Sequence, residues 1–177
     1  MAETRIVSII GRKNSGKTTL ITALAADFHR RGKSVATIKH SRHHLNIDAE
    51  GTDTWKHFNE GHANQVVYET AKQRVIFERQ QQESDPVDIT KKYLMGNYIV
   101  LVEGFKTHDL PKIEVVRRNS TEPPLYDVSA ENASNWIAIV TDRDDLDLPI
   151  PVFRFKDTSW MVTLSQILLA KARIVTT

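Results

Sequence analysis

The spacing of apolar residues changes near the amino terminus from a continuous run to a helical period. Residues 6–10, Ile-Val-Ser-Ile-Ile, predict a buried strand. Apolar side chains then recur at helical spacing at Leu20, Ile21, Leu24 and Phe28. This spacing predicts a helix over residues 17–31, which Gly32 can end in a left-handed conformation, and residues 34–38 predict a second strand. Strand, helix and strand in this order begin a parallel sheet.

Similar patterns continue along the rest of the chain. The most continuous apolar run, residues 98–103, predicts a central buried strand that ends in Glu103. The remaining predicted elements are short helices at residues 54–60 and 86–94, strands at 65–68, 74–77, 112–117, 136–140 and 151–155, and a closing helix capped by Asp157 or Thr158. Helices and strands that alternate in this way predict an α/β protein with a doubly wound, mostly parallel sheet.

The polar segment between the first strand and the first helix matches a phosphate-binding motif. Residues 11–18, Gly-Arg-Lys-Asn-Ser-Gly-Lys-Thr, fit GxxxxGK[ST] at every fixed position. Gly11 and Gly16 allow a tight turn whose backbone N–H groups converge on an anion at the helix N-terminus. A chance match in a surface turn is the alternative, but the segment has the strand and helix neighbours that the motif requires. We therefore expect a three-layer, P-loop NTPase-like architecture.

The motif assigns roles to individual residues. Lys17 would reach the β- and γ-phosphates as a point charge, and the Thr18 hydroxyl would complete a Mg²⁺ shell. Glu103 stands where a strand-end carboxylate faces that shell, and a buried glutamate without a catalytic role is the alternative. The predicted nucleotide-binding residues of the loop are Gly11, Lys13, Asn14, Ser15, Gly16, Lys17, Thr18 and Thr19.

Length and composition limit the classes of function. The 177 residues suit one nucleotide-binding domain over residues 1–177 with a sizeable core. The formal net charge of +2 gives no reason to expect a nucleic-acid partner. The absence of cysteine excludes disulfides and thiolate chemistry, and no apolar run approaches the roughly 18 residues of a membrane span. We expect a soluble, cytoplasmic protein with no membrane partner.

Two segments after the second strand carry further candidate chemistry. Residues 39–44, Lys-His-Ser-Arg-His-His, contain the three histidines His40, His43 and His44. The lysine and arginine among them would repel a cation, so a solvated or phosphate-facing basic loop is favoured over a metal site. Asp48 follows in a turn-forming stretch and, with Lys17, is a catalytic candidate, because its carboxylate could hold Mg²⁺ or orient water. A helix cap or turn former is the equal alternative.

Residues 141–144, Thr-Asp-Arg-Asp, match a guanine-recognition motif in part. Guanine-specific P-loop proteins resemble one another in [NT]KxD after a late strand, where the last Asp accepts hydrogen bonds from the N1–H and 2-amino groups of guanine. Thr141 and Asp144 match this pattern, whereas Asp142 replaces the lysine. Thr141 and Asp144 are therefore predicted nucleotide-binding residues, with a plain acidic turn as the alternative.

Three segments together resemble the MobB family of molybdenum-cofactor biosynthesis proteins. They are the phosphate loop, residues 37–53 with their Ile-Lys-His and Asp-x-x-Gly-x-Asp patterns, and residues 101–106, Leu-Val-Glu-Gly-Phe-Lys. The resemblance implies a GTP-binding, weakly hydrolysing accessory protein with Mg²⁺ at its site. It also implies that the protein assists the guanylyltransferase that converts molybdopterin to molybdopterin guanine dinucleotide, and that it is a homodimer.

Without the resemblance, the residues indicate a Mg²⁺-dependent nucleotide-binding protein, and two other functions stay open. One is a small-molecule kinase whose acidic acceptor meets the basic loop, and the other is a non-catalytic adaptor that orders a partner surface when nucleotide binds. Hydrolysis is expected to be slow, because no glutamine or arginine is obviously placed to accelerate it. The strands at residues 65–68 and 74–77 fit either an internal hairpin or a dimer edge.

Overall fold

The computed structural model describes residues 3–41, 47–157 and 159–176. The chain forms two compact units, one of residues 1–40 and 85–177 and the other of residues 41–84. The elements in chain order are β1 (Glu3–Gly11), α1 (Lys17–Arg30), β2 (Val35–Lys39), α2 (Asp53–Asn59), β3 (Gln65–Glu69), β4 (Arg74–Glu78), α3 (Pro86–Ile89), a π-helix (Thr90–Leu94), β5 (Ile99–Glu103), β6 (Lys112–Val116), a 3₁₀ turn (Ala133–Asn135), β7 (Trp136–Thr141), β8 (Val152–Arg154), α4 (Trp160–Lys171) and β9 (Arg173–Thr176). None of the helices in the described part of the chain has the length and apolar character needed to cross a membrane.

The first unit is built on one sheet. Six of its seven described strands are parallel and have the order β2-β5-β1-β6-β7-β8, and the seventh, β9, pairs antiparallel with β1. Along β1, residues 3–6 pair with β9 and residues 8–11 pair with β6. This mostly parallel sheet confirms the predicted fold class. Because β5 and β6 flank β1, their carboxyl ends lie on either side of the segment that follows β1.

Helices cover both faces of this sheet. Side chains of β1 alternate between the faces, so Val7 and Ile9 pack in one core cluster with buried residues of α1 and α4. Ile6 belongs to a second cluster with Val100 and Phe105, against which partly buried side chains of α3 and the π-helix pack. The two clusters are the two cores of a doubly wound sheet, as the sequence predicts.

The second unit contains a helix and a hairpin. Strands β3 and β4 pair antiparallel, from Gln65 opposite Glu78 to Glu69 opposite Arg74. Helix α2 begins after Thr52, whose hydroxyl oxygen accepts a hydrogen bond from the Trp55 N–H at 3.3 Å. The pairing confirms an internal hairpin at residues 65–78. Three of its apolar side chains, Val67, Tyr68 and Ile76, are exposed.

Three local features differ from the sequence prediction. The helix predicted over residues 86–94 changes to a π-helix at Thr90, whose hydroxyl donates to the Pro86 carbonyl at 2.8 Å, and such back-bonding bends a helix. Ser159 precedes α4 without a side-chain cap, so the cap predicted at Asp157 is wrong, and the alternative at Thr158 lies outside the described residues. The sequence pattern does not predict strand β9, because this strand forms by pairing with the first residues of β1, at the other end of the chain.

Candidate functional site

The predicted phosphate loop joins the carboxyl end of β1 to the amino end of α1. Gly11 has φ 146°, and an ideal Cβ there would lie 2.5 Å from the Val115 carbonyl oxygen on β6. Gly16, with φ 96°, immediately precedes α1, and Asn14 has φ 58°. Positive φ favours glycine and is tolerated by asparagine. The backbone therefore has the tight turn that the motif requires, and a side chain at position 11 would displace β6.

The loop side chains differ in their access to a ligand. Those of Lys13, Asn14, Thr18 and Thr19 are exposed, and Lys17 is partly exposed. Ser15 is 4% exposed, and its buried hydroxyl oxygen has no hydrogen-bond partner among the described residues. Buried polar groups are normally paired, so an acceptor near Ser15 would stabilise the loop.

Lys17 bonds to the loop itself. Its Nζ donates a hydrogen bond to the Arg12 carbonyl oxygen at 2.7 Å. Burial lowers the pKa of Lys17; Glu103 opposes this shift, and Lys106 and Lys39 add to it. Several cations therefore surround this ammonium group, and an anionic ligand such as a phosphate would favour its charged form.

Glu103 lies at the place that the sequence predicts for a metal-facing carboxylate. It is opposite Ile9 of β1 and Lys39 of β2 in the parallel register. Its Oε2 accepts a hydrogen bond from the Thr18 hydroxyl at 2.9 Å, and its Oε1 lies 3.5 Å from Lys39 Nζ. A hydroxyl beside a carboxylate offers the hard oxygen atoms that suit Mg²⁺.

The rest of a Mg²⁺ shell must come from other sources. The described residues contain no group of three or more His, Asp or Glu side chains able to hold a metal ion. Phosphate oxygens and water would therefore have to complete the coordination around Thr18 and Glu103, as is usual for Mg²⁺ at nucleotides.

The guanine-motif candidates lie at the carboxyl end of β7. Thr141 is fully buried, and its hydroxyl oxygen accepts from the Arg143 N–H at 3.0 Å. The Asp144 carboxylate lies 2.6 Å from both Arg118 and Lys156. Hydrogen bonding from Lys156 lowers the pKa of Asp144, and Arg118 lowers it further. The carboxylate is thus ionised and able to accept hydrogen bonds, although guanine would have to share it with these cations.

Asp142, which replaces the motif lysine, binds a cation from the neighbouring strand. Its Oδ2 lies 3.1 Å from Arg117 Nε, just after β6, and its Oδ1 accepts from the Arg118 N–H at 2.5 Å. Sequence reasoning missed Arg117, because the two residues are 25 positions apart. The visible signal was a pair of arginines at a strand end, where ligands bind in parallel sheets.

A cavity of about 270 Å³ lies beside the phosphate loop. It is lined by loop residues 12–15, residues 114–117 and residues 119–124. Glu114 is 1% exposed, and its carboxylate accepts hydrogen bonds from the Leu125 and Tyr126 N–H groups and from Trp136 Nε1. Burial raises the pKa of Glu114 against the effect of these hydrogen bonds. Glu114 therefore holds residues 125 and 126, which directly follow the cavity-lining residues 119–124.

The remaining candidates are Asp48 and the three histidines that follow β2. Asp48 belongs to the second unit, where its carboxylate accepts from the Thr52 hydroxyl at 2.7 Å and so supports the residue that caps α2. His40 follows β2, donates its N–H to the Glu103 carbonyl at 2.9 Å and packs its ring 4.6 Å from that of Phe105. His43 and His44 lie outside the described residues.

A complete phosphate loop between β1 and α1, with a strand-end acid on the adjacent β5, defines a P-loop NTPase-like α/β protein. Comparison with known protein families identifies a narrower class than the fold does. Residues 6–142 match the family model described as MobB, Molybdopterin guanine dinucleotide synthesis protein B. This chain belongs to the MobB family.

Individual proteins and structures agree with this membership. The chain is 33% identical to the molybdopterin-guanine dinucleotide biosynthesis adapter protein of Haemophilus influenzae over 150 residues, 81% of each protein. A crystal structure of molybdopterin-guanine biosynthesis protein B is similar at TM-score 0.69 and 27% identity, covering 93% of this chain and 98% of that one. Bacillus subtilis MobB has a similar fold, at TM-score 0.68 and 21% identity, with 92% and 97% of the two chains covered.

Proposed function

We propose that this chain is a GTP-binding, slowly hydrolysing accessory protein in the synthesis of molybdopterin guanine dinucleotide. The accessory role in molybdenum-cofactor biosynthesis follows from membership of the MobB family. The observation that carries the GTP-binding part is the arrangement of Lys17, Thr18 and Glu103 around a phosphate loop with the required backbone. In this proposal residues 1–177 act as one nucleotide-binding domain, with residues 41–84 inserted in its sequence.

The phosphate loop, with Glu103, supplies partners for the phosphates of the nucleotide and for Mg²⁺. The N–H groups of residues 13–19 and the amino end of α1 bind the phosphates, and Lys17 releases the Arg12 carbonyl to reach the β- and γ-oxygens. Thr18 binds Mg²⁺ directly, and Glu103 binds it directly or through water. Lys17 then supplies the positive charge for hydrolysis, with Asp48 as a secondary catalytic residue, and turnover is slow.

Asp144→Asn tests guanine recognition at the end of β7. The asparagine has one acceptor where the carboxylate has two, and its new N–H₂ group faces a guanine donor. We expect GTP affinity to fall by about 1–3 kcal/mol, and affinity for xanthosine triphosphate to rise, because the 2-oxo group accepts from the amide. Isothermal titration with both nucleotides measures the change. Asp145→Asn is the matched control, since Asp145 pairs with Arg143 instead, and GTP affinity that is unchanged in Asp144→Asn would place base recognition elsewhere.

The proposed partner is the molybdenum-cofactor guanylyltransferase, since the similar Haemophilus influenzae protein is named an adapter in the same synthesis. We expect the chain to form a complex with purified guanylyltransferase in Mg²⁺ and GTP, measured by analytical sedimentation. In an adapter whose bound nucleotide orders the partner surface, Lys17→Ala should form less complex. A mixture that sediments as separate proteins with and without GTP would contradict the partnership.

We further propose a cytoplasmic homodimer. The exposed apolar side chains of the hairpin, Val67, Tyr68 and Ile76, support self-association, because burial of such side chains stabilises a protein interface. The cysteine-free composition fits a reducing compartment.

A further inference from the structure

Arg117 is held in place by contacts on two sides and lies close to Gly16. Its Nε lies 3.1 Å from Asp142 Oδ2, and its guanidinium carbon lies 5.3 Å from the centre of the Phe155 ring. An ideal Cβ on Gly16 would lie 4.0 Å from Arg117 Nη1. The guanidinium therefore lies beside the residue at which the phosphate loop becomes helix α1, while 41% of its side chain stays accessible.

The Arg117 guanidinium lies beside residues 141–144, which match the guanine motif in part. At position 142 the motif has a lysine and this chain has an acid, which would place a negative charge near a nucleotide. Asp142, however, uses both of its oxygens on the segment after β6, one on the Arg117 side chain and one on the Arg118 N–H. The acid at position 142 is therefore paired with the guanidinium of Arg117, at the end of the adjacent strand β6.

The chemistry of arginine suits this position. Arg117 lines the cavity beside the loop together with Arg12, Lys13 and Asn14. A guanidinium can donate to a phosphate or ribose oxygen and can also stack on a planar ring. Glu103 and Lys39 lie at the ends of β5 and β2, on the other side of β1 from β6, and Glu103 serves the metal ion in the proposed function.

We propose that Arg117 is a nucleotide-contacting residue and that Asp142 positions it, an inference that rests on the proposed binding of GTP. The guanidinium contacts the nucleotide between the phosphate loop and residues 141–144, and so supplies from position 117 the cation missing at position 142. Its contact is independent of the γ-phosphate, in contrast to that of Lys17.

Arg117→Met tests the contact, because methionine keeps much of the apolar stem and removes the charge. We expect affinity for both Mg·GTP and Mg·GDP to fall about 10- to 100-fold, the effect of losing a charge-assisted hydrogen bond. Arg117→Lys should recover part of the loss. Lys17→Ala should weaken GTP more than GDP, which separates the two roles. Isothermal titration measures all of these affinities.

Arg31→Met is the matched control. Arg31 also pairs with an aspartate, Asp27, and lies over a phenylalanine, Phe28, with 5.9 Å from its guanidinium carbon to the ring centre. We expect its nucleotide affinity to equal that of the wild type. A loss of similar size in Arg31→Met would overturn the assignment, because the effect would then reflect a general change of structure.

Asp142→Asn tests the positioning role through a double-mutant cycle. Alone it should weaken GTP binding several-fold, since it loosens Arg117, and in the Arg117→Met background it should have almost no further effect. Additive losses would overturn the role of Asp142. Wild-type affinity in Arg117→Met, with Lys17→Ala still defective, would overturn the role of Arg117 and leave the proposed function intact. A wild-type chain that binds no nucleotide would overturn both.

Discussion

Lys17→Ala is expected to weaken the binding of Mg·GTP by about 30-fold or more. Removal of a charged partner from a desolvated ion pair costs about 2–5 kcal/mol, and each 1.4 kcal/mol is a factor of ten in affinity. The variant should still fold, because within the described ranges Lys17 Nζ hydrogen-bonds only to the Arg12 carbonyl of the same loop, and burial already lowers the pKa of this lysine. Isothermal titration with GTP measures the affinity, and a thermal melt of a separate sample of each protein shows that it is folded.

Lys33→Ala is the control for loss of a lysine. Lys33 follows α1, and its Nζ lies 4.8 Å from the centre of the Tyr98 ring, so the substitution removes a cation–π contact and leaves the loop unchanged. Its GTP affinity should equal that of the wild type. A folded Lys17→Ala protein with wild-type affinity would show that the loop does not bind the phosphates.

Glu114→Ala is expected to lower the free energy of unfolding by about 2–5 kcal/mol. The substitution leaves the N–H groups of Leu125, Tyr126 and Trp136 Nε1 without their acceptor, and each buried donor left unpaired costs about 1–3 kcal/mol. Release of the buried carboxylate offsets part of this cost, since burial penalises its charge. Urea unfolding measures the difference, and a loss below about 1 kcal/mol would contradict the structural role.

Glu122→Ala is the matched control, because Glu122 is exposed and pairs with Arg12 at 2.6 Å. Exposed ion pairs contribute about 0–1 kcal/mol, so this variant should be close to the wild type in stability.

The effect of pH separates the charge of Glu114 from its hydrogen bonds. The pKa of Glu114 is raised above its ordinary value of 4.5 in the folded protein. As the pH rises, the unfolded chain therefore loses the Glu114 proton before the folded protein does. The contribution of Glu114 to the free energy of unfolding accordingly falls as the pH rises from about 4.5 through the folded pKa. Glu114→Gln should lack this dependence.

The fold was predictable where a local pattern is sufficient to define an element. Residues 6–31 carry a buried run, a phosphate-loop motif and a helical period, and they form β1, the loop and α1 as expected. Strand β9 could not be predicted in this way, because its four residues form a strand only by pairing with β1 from the other end of the chain. The π-helix depends on the hydroxyl of one residue, Thr90, which the apolar pattern does not report.

The site was predictable as far as its motif extends. The hydrogen bond from Thr18, at the start of α1, to Glu103, at the end of β5, brings together the two side chains that the motif predicts to lie close to each other. The pairing of Asp142 with Arg117 could not be derived from the sequence, since it depends on which strands are neighbours in the sheet. Asp142, where the guanine motif has a lysine, therefore pairs with a cation from the end of the neighbouring strand.

Calorimetric titration of the purified chain with GTP and with ATP, each with Mg²⁺, tests whether this protein binds GTP specifically at its phosphate loop. We expect one GTP bound per chain, with an affinity at least about tenfold higher than for ATP, and loss of that binding in Lys17→Ala. ATP binding as tight as GTP binding, or no heat from either nucleotide, would contradict this expectation.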